Sequence, residues 1–300
     1  MQSETMSGTS AGLLPVLKEA LRPAYYFVRG CWISFNVAMN EPRDWRRADP
    51  KERDVIRARG LYIDARAPIA LETCGEPRPY VRTFQFPGDT IDGFHARLAT
   101  APLGRKGVNF SIDIGLDGYL ARAEAMKLYE LAYFGSGDVL ELGTYMGLSA
   151  SIVGNALRNR GDGALHTCDI STIYSRTAQQ CLKWHPARPF IHFHTGDAPA
   201  FLDRMIAQGQ TFGLMFVDHW HSYEQTHAVA IRLPRLLRPG GFVMFHDYND
   251  PAARDPSHPH KVFQAVRDGL DQDMFQLCCV VASSAVFHRR PDSNGTPCAS

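Results

Sequence analysis

Net charge is nearly absent from this sequence: 32 Lys and Arg face 31 Asp and Glu, a formal +1 over 300 residues. That balance removes any global attraction to nucleic acid or to an anionic membrane and leaves only local patches. The seven cysteines are odd in number and form no Cys-x-x-Cys pair, which argues against a disulfide framework and a cysteine-rich zinc module. No apolar run approaches the roughly 20 residues that cross a bilayer. The N-terminus lacks the basic-then-apolar order of a secretory signal. Internal repeats and low-complexity tracts are missing too. These absences predict a soluble, cytoplasmic protein with no transmembrane segment and no nucleic-acid partner.

What is present is an ordinary globular composition, 45% hydrophobic and 11% aromatic, in a chain long enough for one domain plus an extension. The character changes near residue 108. The predicted organisation is an N-terminal extension of unknown role over 1–107, a regular domain over 108–290 and a disordered tail over 291–300. In the extension, residues 12–36 hold apolar clusters interrupted by Pro15, Lys18, Pro23 and Arg29, with no clean helical or strand period. Their aromatics are expected in buried core; contact with a membrane surface is the competing reading, and a homo-oligomer through the extension stays open. Residues 41–59 balance acids against bases and read as a solvated helix or loop. Residues 66–104, punctuated by Pro and Gly, read as short strands and turns.

Beyond residue 118 the pattern is regular. Apolar periodicity predicts helices over 119–134, from about 148, and over 176–184, 201–208, 223–237 and 261–270. Short apolar runs predict strands at 138–142, 164–168, 190–194, 213–217 and 242–246, with 275–281 and 284–288 as a closing hairpin. Strands alternating with helices specify an α/β fold, a doubly wound and mostly parallel sheet covered on both faces.

Ligands of such sheets bind outside the carboxyl ends of the strands. Here those ends carry Glu141 and Gly143, then Asp169, Asp197, Asp218, and His246 with Asp247. A single acid in that place is most simply a helix cap; polar residues at all five ends form a pattern. The first turn runs Gly143-Thr144-Tyr145-Met146-Gly147-Leu148-Ser149. Tyr145 and Leu148 stand where a dinucleotide fingerprint needs glycine, so a pyrophosphate cannot approach closely, and no Gly-Lys-Ser/Thr follows to make a P-loop. A glycine turn at a helix N-terminus still offers free amides to a compact anion such as a carboxylate. Asp169, 26 residues after Gly143, is placed to take the hydroxyls of a ribose. Carboxylate, ribose and adenine without phosphate describe S-adenosylmethionine.

The run from Val139 through Glu141, Gly143, Thr144, Tyr145, Gly147 and Ser149 to Ala150 resembles the first motif of class I S-adenosylmethionine-dependent methyltransferases, most of all the catechol O-methyltransferase branch. The stretches from Phe216 to Glu224, Leu236 to Gly241 and His246-Asp247-Tyr248 resemble bacterial members of that class, among them metal-dependent sugar O-methyltransferases. The resemblance covers about residues 110–290 and implies a seven-stranded, Rossmann-like methyltransferase sheet. It implies Gly143, Thr144, Tyr145, Gly147 and Ser149 at the methionine end of the cofactor. Glu141 falls near its amino group, Asp169 on the ribose, Asp197 with Ala198 near the adenine, and Asp218 at the same site. In the resembled enzymes the acids at Asp218 and Asp247 bind magnesium, and His221 takes the place of the general base. The sequence departs after Asp247, where Tyr248 precedes Asn249, and at Trp220, where relatives carry an acid. The third metal ligand is therefore open, and catechol is disfavoured as substrate.

Chemistry supports these assignments independently. Carboxylates at neighbouring strand ends suit Mg2+ or a similar divalent cation, and an imidazole titrating near neutrality suits a hydroxyl proton. His219 and Trp220 are expected to shape the adenine and substrate walls, His192 and His194 to be structural, His246 to orient Asp247, and the loop 251–260 to lie over the mouth of the site. The expected partner is a small-molecule or saccharide acceptor. A nicotinamide-dependent oxidoreductase, a non-enzymatic scaffold on the same fold, and a metal-independent methyltransferase are the competing readings.

Overall fold

A computed structural model describes residues 10–40, 78–104, 107–250, 252, 255 and 257–291. The charged run 41–59 and the tail beyond Pro291 lie outside the described residues. The seven strands are β1 (Val139–Leu142), β2 (Leu165–Asp169), β3 (Ile191–Thr195), β4 (Phe212–Val217), β5 (Leu237–Phe245), β6 (Phe275–Val281) and β7 (Ser284–Arg289). Their order is β3-β2-β1-β4-β5-β7-β6. The first five run parallel, and β7 inserts antiparallel between β5 and β6. This is the expected sheet with its closing hairpin. The chain reverses strand order on either side of β1, so the connections that leave β1 and β4 part to opposite faces and open a crevice. Paired ends such as Leu142 beside Cys168 and Val217 beside Phe245 put the sequence-marked acids in one row.

Every residue of β1 and β4 is buried, as an apolar parallel strand covered on both faces requires. On one face lie α3 (Arg122–Phe134), α4 (Leu148–Arg160) and α5 (Thr172–Cys181); on the other lie α6 (Ala198–Ala207), α7 (Tyr223–Ala230), the short α8 (Leu233–Leu236) and α9 (Val262–Gly269). Earlier among the described residues lie the helices α1 (Ser10–Asn40) and α2 (Gly93–Thr100). The segment before α2 docks on α3 through a buried carboxylate: Glu130 accepts from the amides of Thr83 and Phe84 at 2.6 and 2.8 Å, while Lys127 bonds Glu130 at 2.5 Å and Thr83 at 2.7 Å. A buried ion pair survives only when its remaining lone pairs and protons are satisfied, and here they hold two distant segments together.

Several expectations change. Residues 12–36 belong to one 31-residue helix, α1, despite Pro15 and Pro23; packing along α5 overrides the local penalty. Most aromatics of that helix are not core: Tyr25, Phe27, Trp32 and Phe35 are exposed, whereas Tyr26 is partly buried against the core and Ile33 is buried. Residues 93–100 are helical, with Asp92 capping α2 by accepting from the amides of Phe94 and His95. The single helix predicted over 223–237 is two, since Pro234 at the start of α8 cannot continue α7. Residues 239–241, which lie between the helix expected over 223–237 and the strand expected over 242–246, fall inside β5, where the pairing with β4 shifts register.

Candidate active site

Gly143 ends β1 with φ +96, and a Cβ there would lie 1.9 Å from the Asp218 carbonyl oxygen. The glycine is thus required by the close passage of the β1 and β4 ends, whatever else binds there. Tyr145 (φ 45) and Asp247 (φ 54) are non-glycine residues in the left-handed region, a cost of order 1–3 kcal/mol each that recurs at functional sites. Gly147, also left-handed, starts α4, and no side chain caps that helix; its first amides are left to water or a ligand.

A cavity of about 410 Å³ opens over this turn, lined on one side by Gly143, Thr144, Tyr145, Leu148 and Ser149 and on the other by Asp218, His221, His246, Asp247 and Asp250. Phe110 and residues 117–120, just ahead of α3, form its outer wall. Glu141, Gly147, Asp169, Asp197 and Ala198 are not among its lining residues. Asp169 sits directly behind, accepting from the Tyr145 and Ser171 amides at 2.8 and 2.7 Å. Asp197 caps α6 by accepting from the Ala200 amide, the cap reading of a strand-end acid. Glu141 is fully buried; one oxygen accepts from Thr167 at 2.5 Å and the other has no partner. Burial pushes its carboxyl up to about 7, although the nearby Ser149 hydroxyl and the hydrogen bond from Thr167 oppose the rise.

Across the cavity the β4 and β5 ends bring two acids and two imidazoles together. His221 Nε2 lies 3.2 Å from Asp218 Oδ1, and His221 Nδ1 lies 3.6 Å from Asp247 Oδ2. His246 Nδ1 is 3.0 Å from Asp218 Oδ1 and 3.2 Å from Asp247 Oδ1; its Nε2 is 3.5 Å from Glu124 Oε2. None of the His246 contacts has hydrogen-bond alignment, so they are ionic proximity rather than directed bonds. Burial opposes charge on His246, yet Asp218 and Glu124 outweigh it and raise its pKa well above the ordinary 6.5. Burial likewise opposes charge on Asp218, but His246 and His221 hold it down to about 2.

Glu124, which sequence reading did not single out, organises the floor. From α3 its carboxylate accepts from the amide and hydroxyl of Ser283 at 3.1 and 2.8 Å, the Ser284 hydroxyl at 2.7 Å and the Ala121 amide at 2.8 Å. Ser283 also bonds Asp247 at 3.2 Å. The β6–β7 turn is thereby fixed beside Asp247. The only sequence signal for Glu124 was an acid in the first turn of a helix, where a cap is the ordinary reading.

From the loop after β5, His260 comes within 4.9 Å of His221, ring centre to ring centre, which bears on the expectation that this loop covers the mouth. Trp220 is 74% exposed, and neither it nor His219 lines the cavity, contrary to the walls expected of them. His192 and His194 are joined by His166, whose Nδ1 is 3.2 Å from His194 Nε2. Asp218, His221 and His246 offer ligand atoms within 4.8 Å of one another, as do His221, Asp247 and His260.

The sheet order, the glycine turn ending β1 and the row of acids at the strand ends define a Rossmann-like fold of the class I methyltransferase type. The family described as "Methyltransferase domain" matches residues 140–248, from β1 to the residue after Asp247. No curated protein matches the sequence. Among solved structures, the chain is similar to an O-methyltransferase from Bacillus cereus in complex with SAH, at 16% identity and TM-score 0.49 over 57% of this chain and 83% of that one. It is also similar to TomG, an O-methyltransferase from Streptomyces achromogenes involved in tomaymycin synthesis, in complex with SAM, at 20% identity and TM-score 0.48 over 67% and 91%.

Proposed function

We propose that this methyltransferase domain moves a methyl group from S-adenosylmethionine to a hydroxyl of a small molecule or saccharide, with His221 as general base beside a divalent cation. One observation carries the reading: the uncapped N-terminus of α4 and the Asp218–His221–His246–Asp247 cluster face each other across a single cavity. The residues fit the donor. Free amides at α4 suit the methionine carboxylate, the unpartnered, buried Glu141 oxygen suits its ammonium, and Asp169 retains lone pairs for ribose hydroxyls. The catalytic unit so defined is residues 108–290.

His221 has the geometry of a base. Its Nε2 lies at hydrogen-bond distance from Asp218, so that nitrogen donates and the tautomer leaves a lone pair on Nδ1. Nδ1 is 3.6 Å from Asp247, too far for a hydrogen bond, and is free to take the acceptor's proton. The acceptor oxygen bonds to the methyl carbon as the carbon–sulfur bond breaks. The proton passes to Nδ1 and the sulfonium leaves as a neutral sulfide. Asp218 and Asp247 stabilise the imidazolium that forms.

A cation would be held by Asp218 with His246, whose buried ring nitrogens lack aligned partners, or by Asp247 with His260, each pair grouped with His221. When bound, it would acidify and orient the hydroxyl. A carboxylate with imidazole accepts Mg2+ but matches Mn2+, Fe2+ or Zn2+ better. A second reading rests on His246 itself: protonated between Asp218, Asp247 and Glu124, it places a built-in positive charge where the metal would go, and the reaction then needs none. Methyl transfer from labelled S-adenosylmethionine to a panel of hydroxylated acceptors, before and after chelation, separates the two. His221→Ala is expected to abolish transfer while donor binding persists. Transfer at the wild-type rate by His221→Ala would remove the base assignment.

A further inference from the structure

We infer that the outer face of α1 is a pairing surface for a second copy of this chain. The helix has two apolar faces. One packs on α5: Ile33 is buried, a Cβ on Gly30 would lie 3.2 Å from Gln180, and Gln180 bonds Cys31. The other bears Leu21, Tyr25, Val28, Trp32 and Phe35, which are 60, 56, 66, 62 and 57% exposed. Their spacing alternates four and three residues, the 3.5 period of a seam between two helices, on the side opposite the packed face. Five large apolar side chains in one unbroken line are far from the scattered single exposures of an ordinary surface.

Area and charge both select a protein partner, and the shape selects a second copy. At roughly 150–250 Å² per large side chain, more than half of it exposed, the seam offers about 600 Å² per protomer. Two copies then bury about 1,200 Å², the lower bound of a specific interface. A narrow seam on the side of a rigid helix complements itself about a two-fold axis, as in the commonest homo-oligomers. A lipid-binding helix needs free cations flanking the apolar face. Here Arg22 is engaged by Glu19 and the Tyr174 hydroxyl, and Arg29 by Asp117 at 2.7 Å and the Tyr25 hydroxyl at 2.7 Å. Of the described cations on the helix only exposed Lys18, at one end of the seam, stands outside these contacts.

Sedimentation equilibrium of the full-length chain tests the inference. The wild type is expected to dimerise at micromolar concentration, and the double variant Val28→Glu/Trp32→Glu to weaken association at least 100-fold with unchanged circular dichroism and melting temperature. Trp184→Glu, at another exposed aromatic, is expected to dimerise normally. A monomeric wild type overturns the inference, as does a dimer that survives the double substitution. So does a monomer that floats with phosphatidylserine vesicles and loses flotation in the double variant, which would assign the seam to lipid.

Discussion

Glu141 sets up the most quantitative expectation. Its carboxyl is fully buried on β1, with one oxygen unpartnered, and burial holds it at about 7 against an ordinary 4.5. Between those values the folded chain keeps a proton that the unfolded chain has lost, so stability falls as pH rises across that window. Converted at 1.36 kcal/mol per tenfold change, the loss amounts to roughly 3 kcal/mol by pH 8. Glu141→Gln removes the ionisation but keeps the shape and the acceptor toward Thr167. The variant is therefore expected to be more stable than wild type at pH 8 by up to about 3 kcal/mol and nearly equal at pH 5. Urea unfolding at the two pH values measures this. If the ligand's ammonium pairs with Glu141, S-adenosylmethionine binding at pH 7 also expels a proton. The observed heat would then vary with buffer ionisation enthalpy in the wild type and not in Glu141→Gln. A variant equally destabilised at both pH values would refute the reasoning, because it would show that the carboxylate, not the carboxyl, is the native form.

Gly143→Ala places a Cβ 1.9 Å from the Asp218 carbonyl at φ +96; a loss above about 4 kcal/mol, or no folded protein at all, is expected by thermal melting, and a variant within 1 kcal/mol of wild type would contradict the close passage of β1 and β4. Glu124→Gln leaves His246 without one of its three counter-charges and weakens the β6–β7 turn, a cost of about 3 kcal/mol. Burial raises the Glu124 pKa, but His246 outweighs it and the net value lies below the ordinary 4.5. Its contribution is thus present above pH 4.5 and lost as pH falls further, and Glu124→Gln should flatten the acid limb of the stability profile.

The sheet was legible because parallel strands buried on both faces read as short apolar runs, each closed by an acid or glycine. The same punctuation marked Asp218 and Asp247, which the fold brings to adjacent strand ends. Helix α1 was hidden for a physical reason: two opposed apolar faces erase the amphipathic period, and Pro23 reads as a break. Glu124 and His260 could not be read, since their importance rests on partners that are remote in sequence or in a loop: Ser283 stands 159 residues from Glu124. Asp197 caps α6 and, like Asp169 and Glu141, lies outside the cavity lining, so its expected place near the adenine rests on the resemblance alone.

Calorimetric titration of S-adenosylmethionine into the full-length chain tests the central claim most directly, with NADH as control and Asp169→Asn as the weakened variant. Saturable one-to-one binding of S-adenosylmethionine, reduced at least tenfold in Asp169→Asn and absent for NADH, is the predicted result. No binding to folded wild-type protein, or NADH binding in its place, would contradict it.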